Sequence, residues 1–181
     1  MVVETMAILW KWYLYQTPWW NLPRSNIFIY CGFLPVRLAF LVLVYNLFLK
    51  DVRVKAIIRY LGILFIIFGI LNYFFIQGPD NVNTYTLILT HFTAIALALL
   101  YFNQVLHEPK IMILSRTPMV WISFGTLIYY AGTLPFFLFL DYLSGKLPGL
   151  AVSFLYINHG LNIIMYSFYL TAFLCKPQSQ P

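Results

Sequence analysis

The chain of 181 residues is 62% hydrophobic and 20% aromatic but only 9% charged, where soluble domains carry about a quarter charged residues. Such a composition excludes a sizeable soluble domain and predicts a single domain, one bundle of membrane helices. The formal net charge of +6 is no sign of a nucleic-acid partner, because the basic residues gather in short connections between apolar segments, where they set orientation in a bilayer.

Residues 1–25 hold Trp10, Trp12, Tyr13, Tyr15, Trp19 and Trp20, yet Lys11 interrupts the apolar run and Pro18 closes it. A run well under about 20 residues predicts an interfacial helix with an aromatic belt rather than a span. The first span is predicted at 26–49, kinked by Pro35, which removes a backbone donor and crowds the Cys31 carbonyl. KDVRVK reads as a basic loop, followed by a second span at 56–77 in which Gly62 and Gly69 share a face for close packing. The third span, 83–106, carries His91 and a stripe of Thr86, Thr90 and Thr93 expected to bond between helices. The fourth, 119–141, repeats the glycine spacing at Gly125 and Gly132 and has Pro135 near its end, the fifth is 149–175, and residues 176–181 read as a polar disordered tail. The fold class is therefore all-α: an integral membrane helical bundle of five transmembrane helices plus an interfacial N-terminal helix.

Lys50, Arg53, Lys55, Arg59, Lys110, Arg116 and Lys176 fall on one side of these spans, against Lys11, Arg24 and Lys146 on the other. The richer side is expected to be cytoplasmic, with the N-terminus outside. An external N-terminus without a signal peptide points to missing or reduced upstream spans. Lys50, Arg53, Lys55 and Arg59 are candidates for anionic lipid or a partner's acidic surface. Cys31 and Cys175 are expected near opposite faces, too far apart for a disulfide.

The chemistry concentrates in LYINHGLNIIMYSFY on the fifth span. Asn158, His159, Asn162 and Tyr166 recur at helical spacing on one stripe, which is expected to face other helices rather than lipid. With a rise of 1.5 Å per residue, Arg37 lies about 17 Å from the outer surface, His91 about 12 Å and His159 about 15 Å. Tyr129 or Tyr130 reaches the same layer, so a ligand-binding pocket of Arg37, His91, His159, Asn158, Asn162 and Tyr166 is expected in the outer half of the bundle. No carboxylate sits at the depth of Arg37, although a charge near a span centre costs about 2.5–3.5 kcal/mol. Arg37 is left to use carbonyls, Tyr or Asn, to snorkel, to pair with Asp141 across a kink, or to bind an anionic ligand or lipid headgroup. The alternative for His91 and His159 is axial ligation of a haem b, with Arg37 near a propionate. No mid-membrane Asp or Glu offers a proton relay, no embedded Lys a Schiff base, and no glycine loop a phosphate site, so no enzyme is expected.

At LYFNQVLHEPK, TPMVWISFGTLIYYAGTLPFFLFLDYL and INHGLNIIMY, the chain resembles uncharacterised, seven-span-like polytopic inner-membrane proteins of Bacteroidetes-type bacteria, often encoded beside two-component sensor kinases. The resemblance covers roughly residues 26–175, and residues 1–25 stand where such proteins have two full spans. It implies a bacterial inner-membrane location and a non-enzymatic sensing or signal-transducing component with a sensor kinase as partner. The alternatives are an accessory subunit of a respiratory or photosynthetic membrane complex, or the haem-carrying redox subunit. A channel or transporter ranks behind these, as no inverted repeat is visible.

Overall fold

The structure, a computed structural model, describes residues 9, 12, 27–78, 82–108, 114–139, 142–143, 146 and 148–175. Its helices are α1 (Ile27–Phe48), α2 (Val52–Leu71, continued by a π-helical turn Asn72–Ile76), α3 (Thr84–Leu106), α4 (Pro118–Leu138) and α5 (Pro148–Leu174). Four segments, Ile29–Phe48, Val52–Ile76, Thr84–Leu106 and Pro118–Leu138, are long and apolar enough to cross a membrane. The 27-residue α5 packs beside them to complete a five-helix bundle, and no strand occurs among the described residues. Leu9 and Trp12 are helical and exposed; the rest of the expected interfacial helix and the expected tail lie outside the described residues.

Packing runs in a row, α2 on α1, α1 on α3, α3 on α4 and α4 on α5. One apolar core joins Leu38, Leu41, Val42 and Tyr45 of α1 to Ala94, Leu97, Ala98 and Tyr101 of α3, then to Met119, Val120, Tyr129 and Tyr130 of α4 and Met165 of α5. Small residues bring the helices close, as their sequence spacing predicts. A methyl group on Gly62 would lie 2.8 Å from Val42, and one on Gly69 would meet Thr86 at 3.1 Å and Pro35 at 3.3 Å. Pro35 thus serves as a knob facing the Gly69 niche, and α1 stays helical on both sides of it.

Two boundaries differ from expectation. The second span was expected at 56, but α2 begins at Val52 because Asp51 caps it, accepting from the backbone N–H groups of Arg53 at 2.8 Å and Val54 at 3.4 Å. Arg53 and Lys55 consequently ride on the first turn of a helix rather than in a loop. The fourth helix ends at Leu138 rather than 141.

The turn between α1 and α2 is tied to the end of α3. Gln104 accepts from the Lys50 N–H at 2.6 Å and donates to the Phe48 carbonyl at 3.3 Å, while Lys50 Nζ meets both carboxylate oxygens of Glu108 at 2.7 Å. Lys50 remains well exposed, so the ion pair contributes about 0–1 kcal/mol. Gln104→Ala removes a capping group from the α1 terminus and should cost about 1 kcal/mol, against a smaller loss for Lys50→Met, when both are compared by SDS titration in mixed micelles. Cys175 Sγ reaches the Ser115 carbonyl at this end, and Cys31 Sγ receives the Asn83 N–H at the other, so the two free cysteines are held apart as expected.

Candidate functional site

Three helices converge on one aromatic pair. The Arg37 guanidinium of α1 stands 4.9 Å from the Tyr130 ring centre and 5.3 Å from that of Tyr129, both on α4. Each contact is worth about 0.5–2 kcal/mol, rising with desolvation. From α3, His91 places its ring edge-on to Tyr130 at 4.9 Å and to Phe137 at 5.0 Å. Tyr130 is 1% and His91 2% exposed, whereas Arg37 is only partly covered. The guanidinium is therefore packed against two rings, in a side chain that keeps partial exposure.

The described carboxylates are engaged elsewhere, Asp51 at the α2 cap and Glu108 on Lys50. Among the described residues no carboxylate pairs with Arg37; Asp141, the partner considered from sequence, lies outside them.

His91 is held at both nitrogens. Nδ1 lies 2.7 Å from the Leu87 carbonyl and Nε2 3.0 Å from Thr133 Oγ1, while the Thr133 hydroxyl is also 2.8 Å from the Tyr129 carbonyl. Around this centre Tyr129 donates to Asn158 Oδ1 at 3.3 Å, Thr126 and Tyr169 hydroxyls share a bond of 2.9 Å, and Tyr45 donates to Ser123 at 3.3 Å. Thr133→Val keeps the shape but leaves a buried imidazole nitrogen without its partner. It should destabilise the bundle by about 1–3 kcal/mol, read by SDS titration against His91→Phe/Thr133→Val, which removes both polar partners and should recover part of the loss.

The expected pocket is assembled only in part. Arg37 and His91 meet across Tyr130, and Asn158 joins through Tyr129. Asn162 is half-buried, while His159 and Tyr166 are exposed, so the inward stripe expected on α5 is corrected. The buried face of α5 runs through Phe154, Met165 and Ala172, because Phe168 and the Met165 carbonyl close onto Gly125. That rotation leaves His159 and Tyr166 on the outer side. Axial haem ligation by the two histidines would require His91 Nε2 to leave Thr133 and His159 to turn inward. The threonine stripe is also corrected: Thr86 accepts from Asn72 Nδ2 of the π-turn at 2.8 Å, but Thr90 and Thr93 bond their own helix carbonyls at Thr86 and Leu89. A hydroxyl in an apolar setting satisfies itself most readily on the carbonyl four residues back.

Sequence reasoning missed Ser123, Thr126 and Thr133, although with Tyr130 they form a 3-4-3 polar stripe that the helical period would have disclosed. It also missed Asn72 and Asn83, both fully buried at the junction of α2 and α3. Comparison with protein-family models, curated proteins and solved structures gave no match, so the site is read from its own residues.

Proposed function

We propose that this protein is a non-enzymatic transmembrane sensing component whose Arg37 site receives an oxyanion, either a lipid headgroup or a free solute, at the outer half of a bacterial inner membrane. The observation that carries the reading is Arg37 itself: a cation at membrane depth, stacked on Tyr129 and Tyr130, in a side chain that keeps partial exposure, and without a described carboxylate. Guanidinium presents a planar fork that matches phosphate and carboxylate oxygens. An anion bound there would offset a charge that costs about 2.5–3.5 kcal/mol near a span centre. The signal has a physical route, because α1 and α3 run from the Arg37 and His91 layer to the Lys50, Gln104 and Glu108 lock. Beside that lock Arg53, Lys55 and Arg59 offer positive charge on the cytoplasmic side, where anionic lipid or a sensor kinase would touch. The resemblance to proteins encoded beside such kinases supports the same partner.

The test uses the full chain in phosphatidylcholine nanodiscs at fixed pH, with thermal unfolding as readout. Phosphatidylglycerol in the disc represents the lipid source, and dimethyl phosphate in solution the free one. Saturation at a hundredfold excess over Kd stabilises by about 2.7 kcal/mol, so a shift of several degrees is expected for the wild type from one source and none for Arg37→Gln. Equal shifts in both proteins would overturn the reading.

A second reading, an accessory subunit of a larger complex, is favoured by α2, which exposes Ile57, Leu61, Ile63, Leu64, Ile67 and Ile70. Copurification at fixed stoichiometry from native membranes in mild detergent separates it from the first. An oxidised-minus-reduced spectrum of that preparation tests the haem alternative: a haem band lost in His91→Ala and His159→Ala would put the redox subunit first.

A further inference from the structure

We infer that the Arg37 site takes up its oxyanion together with one proton, which is stored on His91. This rests on the oxyanion reading and adds a chemical requirement to it.

The Leu87 carbonyl can only accept, so the 2.7 Å contact needs hydrogen on His91 Nδ1. The Tyr129 carbonyl can only accept as well, so the 2.8 Å contact uses the one hydrogen of the Thr133 hydroxyl. Thr133 Oγ1 then has only lone pairs to offer His91 Nε2 at 3.0 Å, and that nitrogen needs a hydrogen too. Three contacts require three protons. A neutral imidazole and a threonine supply two, and only the imidazolium completes the set. With His91 neutral, the Thr133 hydroxyl must choose between the Tyr129 carbonyl and the imidazole, and one contact goes unmade.

What opposes the third proton is burial first, since the imidazole is 2% exposed, and then the positive charge of Arg37. Arg37 from α1 stands at the same Tyr130 ring, 4.9 Å from its centre, as His91 does. Among the described residues the other titratable groups beside the imidazole are phenols, Tyr129 and Tyr130 on α4, with Tyr169 of α5 beyond them on Thr126. His159 of α5 is exposed. No described carboxylate is there to balance two cations. An oxyanion on Arg37 supplies that balance, so anion and proton enter as a neutral pair. The proton comes from bulk water, no covalent bond forms, and the charge of the site is unchanged by the pair. By linkage each ligand then strengthens the other's binding by the same factor.

The test titrates dimethyl phosphate into wild type, His91→Asn and Thr133→Val in phosphatidylcholine nanodiscs at pH values from 5 to 8, with phosphatidylglycerol discs as the lipid arm. Both probes keep one negative charge throughout that range. In the wild type the apparent affinity for one probe should rise as pH falls, approaching tenfold per unit through the imidazole titration. His91→Asn should bind with no pH slope, and Thr133→Val should move the rise to lower pH, because its imidazolium lacks an acceptor. The probe that responds identifies the source, solute or headgroup. A wild-type affinity flat across pH, with Arg37→Gln still deficient, would overturn the proton coupling and leave the oxyanion reading standing. No Arg37-dependent binding of either probe at any pH would overturn both.

Discussion

Gly125→Ala should destabilise the bundle by about 2 kcal/mol, whereas Gly132→Ala, seven residues on along the same helix, should be neutral or mildly stabilising. At Gly125 the added carbon would lie 2.9 Å from Phe168 Cβ and 3.1 Å from the Met165 carbonyl oxygen. Neither atom can swing aside, because one is a helix carbonyl and the other is fixed to the backbone, so α4 and α5 must separate along their shared face. Overpacking of this kind costs about 1–3 kcal/mol, and the gain in helix propensity, about 1 kcal/mol, only reduces the loss. At Gly132 the near atom is Leu161 Cδ1 at 2.9 Å, the far end of a flexible side chain that yields by a rotamer change, leaving the propensity gain. Unfolding of the two variants in SDS mixed micelles decides the matter. Equal stability would mean that the contact of α4 with α5 at Phe168 is looser than described.

Tyr130→Ala is expected to have the largest effect of any single change at the site, a loss of about 3–5 kcal/mol. The ring is 1% exposed and touches Arg37, His91 and Tyr129. Its removal opens a cavity where three helices meet and strips Arg37 of one of its two aromatic faces. Tyr130→Phe keeps the ring and therefore most of the cation–π attraction, so it should cost about 1 kcal/mol or less. Tyr130→Leu should fall between, since it fills much of the volume but offers no negative ring face. The order Phe, Leu, Ala in unfolding free energy is the measurement. A leucine variant as stable as phenylalanine would show that Arg37 gains nothing from the ring beyond its volume.

Much of the helical layout was legible because apolar length and glycine spacing act locally. The spacing of Gly62 and Gly69 and of Gly125 and Gly132 announced close contact, and close contact is found at all four. The start of α2 was missed because Arg53 and Lys55 look like loop residues until Asp51 is recognised as the cap that lets a helix begin with them. At the site, depth arithmetic put Arg37 and His91 in one layer, and they do meet at Tyr130. Rotation about the helix axis was not legible. The stripe of Asn158, His159, Asn162 and Tyr166 is real as a stripe, but its heading follows from how Phe168 and Met165 close onto Gly125, a fact of two helices rather than one. Thr133 escaped notice because a lone threonine in an apolar run looks bland until His91, 42 residues earlier, is set against it.

The dependence of Arg37 on α4 also bears on how the chain assembles during synthesis. Helices α1 and α2 can close as a hairpin early, with Pro35 already facing Gly69, yet the rings that receive Arg37 belong to residues 129 and 130, more than ninety positions later. Until those residues are inserted, the guanidinium has no aromatic partner and must be sheltered by snorkelling, by an anionic headgroup or by the insertion machinery. Docking of α4 against α3 therefore brings the aromatic pair to Arg37 and ends the period in which α1 carries an unsheltered charge. Slowing insertion of α4 should lengthen that exposure, and ribosome-bound chains stopped before Tyr129 should be more readily extracted from the membrane than the same chains with Arg37→Leu.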